Sequence, residues 1–287
     1  MLPRAQYEVP LPRHAALRLG ERTLVMAVLN VTPDSFSDGG VRFDAERAVE
    51  DGLRMASEGA DIIDVGGEST RPGADELPVD EELRRVLPVV ERLAASGLTV
   101  SIDTYKATVA REAVACGASI VNDISGFLFD RDLPAVVAET GAAVVLMHNR
   151  GRSRDMYREA VYQNVGADVR RELDQAMSRA LAAGVPRASI IVDPGLGFAK
   201  RAEHSFAALA SLDLLRELDR PILCGASRKS FLTAAIGKKD PGDREWASAA
   251  AVTASVLFGA HIVRVHRVPE MVDVVRVADR IREQTVL

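Results

Sequence analysis

The chain is 287 residues long, 47% apolar, and carries a formal net charge of −5, so it can bury one large core without a metal or disulfide staple. The acidic balance argues against a phosphate-backbone partner, which needs a basic face. Cys116 and Cys224 lie far apart, with no CxxC pair or histidine at metal spacing, so no disulfide framework is expected and the cytoplasm is the expected compartment.

Residues 1–22 carry Arg4, Arg13, Arg18 and Arg22 but no apolar segment. They do not read as a secretory signal, and they are expected to form an N-terminal extension that caps the bottom of the domain. Eight short apolar runs come next: LVMAVL (24–29), DIIDV (61–65), LTVSI (98–102), SIVND (119–123), AAVVLM (142–147), SIIVD (189–193), PILCG (221–225) and HIVRV (261–265). Their apolar character is nearly continuous, as strands covered on both faces require.

Helical patterns separate the runs. Leu83, Leu87, Val90 and Ala94 share one face, although Pro88 predicts a kink there or a start later than Asp80. Val165, Val169, Leu173, Ala176 and Ala180 form a second stripe. A last helix takes Pro269 in its first turn, with Val274, Val277 and Ile281 continuing its apolar face. The longest apolar stretch, AAAVTASVLFGA (249–260), is too short to span a bilayer. Alternating β and α units over 1–287 predict a single-domain α/β fold, a (β/α)8 TIM barrel.

Nearly every run ends in a polar group: Asn30, Asp64, Asp103, Asn122 with Asp123, His148, Asp193, Lys229, and Arg264 with His266. In a barrel these ends converge on one rim, where unpaired polar groups would cost several kcal/mol without a ligand. Each acid alone is compatible with a helix cap, but caps do not explain Lys229, Arg264 and His266 at the same rim. Asp103, Asn122 and Asp193 are acceptors suited to a heterocycle edge rich in N–H groups. The cationic end, at strands seven and eight, suits phosphates, and Asn30 could hold Mg²⁺ against them. The glycine-rich loops SDGG (37–40), GGESTRPG (66–73) and GLGFAK (195–200) contain neither GxGxxG nor a P-loop.

The strings LNVTPDSFSDGG (29–40), DIIDVGGESTRPGA (61–74), SIDTYK (101–106), VNDISG (121–126), DPGLGFAK (193–200), GASRKSF (225–231) and IVRVH (262–266) resemble dihydropteroate synthase, in order, from about residue 24 to residue 284. The resemblance implies condensation of 7,8-dihydropterin-6-ylmethyl diphosphate with 4-aminobenzoate in folate synthesis, with Mg²⁺ present. It assigns Asp103, Asn122, Met147, Asp193 and Lys229 to the pterin, with Arg264 stacking on its ring. Asn30, Arg264 and His266 fall to the diphosphate, and Asn30 in part to Mg²⁺. Thr70, Arg71, Pro72, Phe198, Lys229 and Ser230 fall to the aminobenzoate.

The implied mechanism is SN1-like: diphosphate leaves first, and the neutral aniline nitrogen captures a methylene cation that Asp103 and Asp193 favour. Loops 31–40 and 66–74 would close over the site. Other rim residues have plainer readings: Phe36 and Phe198 could simply pack, Asp123 could cap its own turn, and His148 is taken as a satisfied histidine rather than a ligand. Arg267 departs from the Asp common at that position in the family, and MHNR replaces the frequent MHMQ. The resemblance also implies a homodimer through outer helices. The alternatives are a pterin-binding barrel transferring methyl groups to a corrinoid protein and a non-catalytic paralogue. The TRPG (70–73) and SRKS (227–230) strings favour the synthase.

Overall fold

The computed structural model describes residues 3–31, 41–69, 75–152, 157–158 and 160–284, without the side chains of 41–44. A hairpin comes first, β1 (Tyr7–Leu11) antiparallel to β2 (His14–Leu19). Eight parallel strands succeed it: β3 (Leu24–Asn30), β4 (Ile62–Gly66), β5 (Val100–Asp103), β6 (Ile120–Asp123), β7 (Ala143–Met147), β8 (Ile190–Asp193), β9 (Leu223–Cys224) and β10 (Ile262–Val265). Each pairs with the next from β3 to β8, β10 pairs with both β9 and β3, and a parallel bridge between Val192 and Ile222 brings β8 to the β9 segment. The sheet thus closes into the expected barrel, with all eight apolar runs as its staves.

Nine α-helices of the described residues surround it. They are α1 (Val41–Ser57), α2 (Val79–Ala95), α3 (Ala107–Ala115), α4 (Leu133–Thr140), α5 (Val165–Ala182), α6 (Ala202–Ala210), the single turn α7 (Thr233–Ile236), α8 (Glu245–Leu257) and α9 (Val268–Gln284). Outward residues of the strands, such as Ile63, Val65, Val121, Val144 and Val263, pack on this ring. Inward residues build a separate core of Leu24, Met26, Ile62, Ile120, Ala143, Val145, Ile191, Leu223 and Ile262. Val9, Leu11 and Leu19 of the hairpin are buried in the same cluster.

Side chains alternate along a strand, so the residue two past each inward isoleucine also points inward. Ile62 is followed in this way by Asp64, Ile120 by Asn122, Ile191 by Asp193 and Ile262 by Arg264. The barrel interior therefore changes from apolar at the hairpin end to polar at the carboxyl ends of the strands.

Two helices differ from the sequence expectation. α2 starts at Val79 and continues through Pro88, and its buried stripe is Glu82, Val86, Val89, Val90 and Leu93. Leu83, Leu87 and Ala94 are only partly buried beside it. α9 buries Val268, Met271, Val272, Val275 and Ala278, while Val277 and Ile281 face outward, 62% and 44% exposed. The stripe on α5 is buried as expected, apart from partly buried Val165.

Candidate active site

Asp103, Asn122, Met147, Asp193, Phe198, Lys229, Arg264 and His266, the carboxyl-end residues singled out from the sequence, line one cleft together with Ile124, Leu196, Gly225 and Ser227. Arg264 lies across its floor, giving Nε to Asp64 Oδ2 at 2.6 Å and an NH2 hydrogen to Asp103 Oδ2 at 2.7 Å. Asn122 Nδ2 donates to the same Asp64 oxygen at 3.0 Å. Because a carboxylate only accepts, this bond fixes the amide so that Asn122 Oδ1 remains an acceptor.

Burial pushes the Asp103 carboxyl up to about 7, against the pull of Arg264, and the neighbouring charges of Asp64 and Glu82 add to the rise. The Oδ1 atoms of both Asp64 and Asp103 are buried without a hydrogen-bond partner among the described residues. Two orphaned acceptors beside a cleft are the cost that an N–H-rich ligand would relieve. Asp193, also raised by burial, accepts from the Gly195 backbone N–H at 2.7 Å.

Also lining the cleft, Lys229 Nζ stands 4.1 Å from the centre of the Phe198 ring. Burial, with Arg264 nearby, pushes the Lys229 ammonium down to about 8. The next residue, Ser230, is exposed. His266 is held at its backbone N and its Nδ1 by Ser227 Oγ, at 3.3 and 3.1 Å. Acceptors, an apolar wall and cations thus share one space.

Asn30 ends β3 in register with Gly66. Its Oδ1 lies 3.8 Å from where a Gly66 Cβ would be, and Asp103 Cβ lies 3.4 Å from that same point. Among the described residues no group of three or more His, Cys, Asp or Glu side chains could hold a metal. The Asn30 amide oxygen at this rim is a hard ligand of the kind Mg²⁺ takes, so the residue present fits that ion.

Thr70, Arg71, Pro72, Phe36 and the SDGG loop lie outside the described residues. Asp123 caps its own turn, accepting from Ser125 N, Ser125 Oγ and Phe127 N at 2.8, 2.7 and 2.6 Å. His148 is buried, with Glu172 Oε2 2.9 Å from Nε2 and Lys200 Nζ 2.7 Å from Nδ1. Arg267 pairs with Glu270 on the surface at 2.6 Å. Two positioning residues were not assigned from the sequence. The sequence marks Asp64 only as a polar strand end, and its inward offset from Ile62 is the signal it carries. Ser227 had no signal beyond its place in the SRKS string.

Residues 26–266 match the family described as pterin binding enzyme. The dihydropteroate synthase of Mycobacterium leprae is 49% identical over 88% of this chain and 91% of its own length. A probable bifunctional folylpolyglutamate synthase/dihydropteroate synthase of Haloferax volcanii is 48% identical over 89% of this chain, which spans 30% of that longer protein. Among solved structures, Yersinia pestis dihydropteroate synthase in complex with a sulfonamide drug superposes with a TM-score of 0.89, at 38% identity over 96% of this chain and 99% of that one. Burkholderia cenocepacia dihydropteroate synthase complexed with 7,8-dihydropteroate gives 0.88, at 40% identity over 99% of both. With this coverage and this cleft, the chain belongs to the pterin binding enzymes and, among them, to the dihydropteroate synthases.

Proposed function

We propose that this protein joins 7,8-dihydropterin-6-ylmethyl diphosphate to 4-aminobenzoate, giving 7,8-dihydropteroate and diphosphate. The bond from the pterin methylene carbon to the diphosphate oxygen breaks with its electron pair going to oxygen. The aniline nitrogen then bonds to that carbon and releases one proton. The observation that carries this reading is the floor of the cleft, where Asp103, Asn122 and Asp193 accept, with orphaned carboxylate oxygen beside them. Such a floor binds the N–H edge of a pterin and favours positive charge on its methylene.

Lys229 and Arg264 complete the pterin site, with Met147 against the plane of the ring. Arg264 and His266 stand at the diphosphate end, where Asn30 would hold Mg²⁺, whose charge would stabilise the departing oxygens. Phe198, Lys229 and Ser230 serve the aminobenzoate, together with Thr70, Arg71 and Pro72. Sulfonamides, which mimic the aminobenzoate, are expected to compete with it. We place the enzyme in the cytoplasm as a homodimer; both described cysteines are free.

Incubation of the purified chain with both substrates and Mg²⁺ is the test. Release of diphosphate coupled one-to-one to dihydropteroate supports the reading. No product from the folded protein, or turnover of the pterin substrate without the amine, overturns it.

A further inference from the structure

The loop after β8 follows Asp193 and carries Phe198, both proposed substrate residues, and has an unusual backbone. Gly195, Ala199 and Gly197 have φ of 65°, 47° and 80°, the left-handed region. A Cβ at Gly195 would lie 2.0 Å from the His148 carbonyl oxygen, so that position admits only glycine. This winding turns carbonyl oxygens of the loop inward, where leaving them unpaired would be costly. Lys200 fills that point: its Nζ lies 3.0 Å from Gly195 O, 3.1 Å from Phe198 O and 2.7 Å from His148 Nδ1. Tyr162 OH donates to Ala199 O at 2.8 Å beside it.

An ammonium has three N–H bonds and no acceptor, and here it meets three short acceptors, all neutral. Lys200 is only 1% exposed. Burial pushes the Lys200 ammonium down to about 7, and the charges of Asp193, Arg150, Glu172 and Lys229 also act on it, though none of them is among its hydrogen-bond partners. His148 can accept at Nδ1 because burial and Lys200 hold its own protonation down to about 4. Its Nε2–H is then left to donate to Glu172, which Arg150 grips from the other side through Nε and NH2. The ammonium is therefore placed by a chain of side chains that ends on α5.

The front of the same loop faces the cleft. Gly195 N–H holds the Asp193 carboxylate, and the Phe198 ring lies under Lys229. We propose that Lys200 is a positioning residue for the reaction: from behind the loop it grips the carbonyls of Gly195 and Phe198, and so fixes the Asp193 carboxylate and the Phe198 ring that face the substrates. This rests on the proposed assignment of Asp193 to the pterin and Phe198 to the aminobenzoate.

The test uses Lys200→Met, which keeps the length of the side chain and removes its donors, in the full chain with both substrates. The expected result is a KM for 4-aminobenzoate raised at least tenfold through Phe198 and a KM for the pterin diphosphate raised through Asp193, with kcat at saturation reduced less than threefold, since no reacting atom is touched. Hydrogen exchange over 194–200 should accelerate in the unliganded protein. In a Phe198→Ala background the same substitution should add nothing to the aminobenzoate KM, because its effect runs through that ring.

Wild-type KM values with wild-type exchange, or full additivity with Phe198→Ala, would overturn the proposal. A silent Phe198→Ala would instead overturn the aminobenzoate assignment, and exchange would still decide whether Lys200 holds the loop. Should Lys200→Met fail to fold, His148→Phe removes one of the three acceptors and keeps a ring. It should raise the same KM at least threefold, and a wild-type value would again refute the grip.

Discussion

Arg264 meets two carboxylates, Asp64 and Asp103, and one guanidinium neutralises only one of them. The second negative charge is then buried without full compensation, so Asp103 holds its proton up to about 7 instead of 3.8. An acid whose folded value lies above its unfolded one keeps its proton longer in the folded state. Its contribution to stability is present at low pH and is lost as pH rises from about 4 through about 7. The melting temperature of the unliganded protein is therefore expected to fall across that window more steeply than that of Asp103→Asn, which has nothing to titrate there. Parallel curves would show Asp103 charged throughout.

Asp64→Asn removes the carboxylate that anchors both Arg264 and Asn122. By the usual strength of hydrogen bonds to charged groups, roughly 1.5–3 kcal/mol, it is expected to weaken a pterin ligand by at least tenfold in calorimetric titration. Affinity equal to wild type would remove Asp64 from the site. At this scale the rim residues were legible, because each ends an apolar run with a polar group. The anchor was not, since Arg264 is 200 residues away from Asp64 and only barrel closure brings them together.

The strands were legible because burial on both faces leaves an apolar run that no loop imitates. The helix faces were read less well, and α2 shows why. Its buried stripe includes Glu82, a charged residue passed over when apolar positions are counted, so the stripe read from sequence fell one position along. Glu82 is 1% exposed there because Lys106 Nζ meets it at 2.6 Å. The N-terminal hairpin went unread for a different reason. Its alternation in YEVPL lasts five residues, and its turn passes through Arg13 at φ 64°, with no glycine to announce it.

That hairpin seals the end of the barrel opposite the cleft, which separates stability from catalysis. Leu19 is 1% exposed among the inward residues of β3 to β10. Leu19→Ala is expected to cost about 2–5 kcal/mol, and hence to lower the melting temperature by several degrees. Both KM values should stay within twofold of wild type. A change in KM at unchanged melting temperature would contradict this division of the barrel into a stability end and a chemical end.

Over the whole molecule, the apolar residues with no interior to enter are the ones that bear on assembly. Val277 and Ile281 sit one turn apart on the outward face of α9, and Phe258, 39% exposed, follows the end of α8. The two helices are joined at that end by Arg282, whose NH1 donates to the Val256 and Leu257 carbonyls at 3.1 and 2.5 Å. Apolar periodicity assigned Val277 and Ile281 to the buried face of their helix, whereas Met271, Val272 and Val275 occupy it. The pattern recorded a demand for burial without saying which chain meets it. In the proposed homodimer, a second copy of the chain would meet it through these outer helices, away from the cleft residues on the strand ends. Sedimentation of the wild-type chain is expected to give a dimer mass, and Val277→Lys with Ile281→Lys a monomer, because two ammonium groups desolvated at a symmetric interface would face their own copies. A concentration-independent monomer for the wild type would refute the dimer, and a dimer that survives both substitutions would place the interface on other helices.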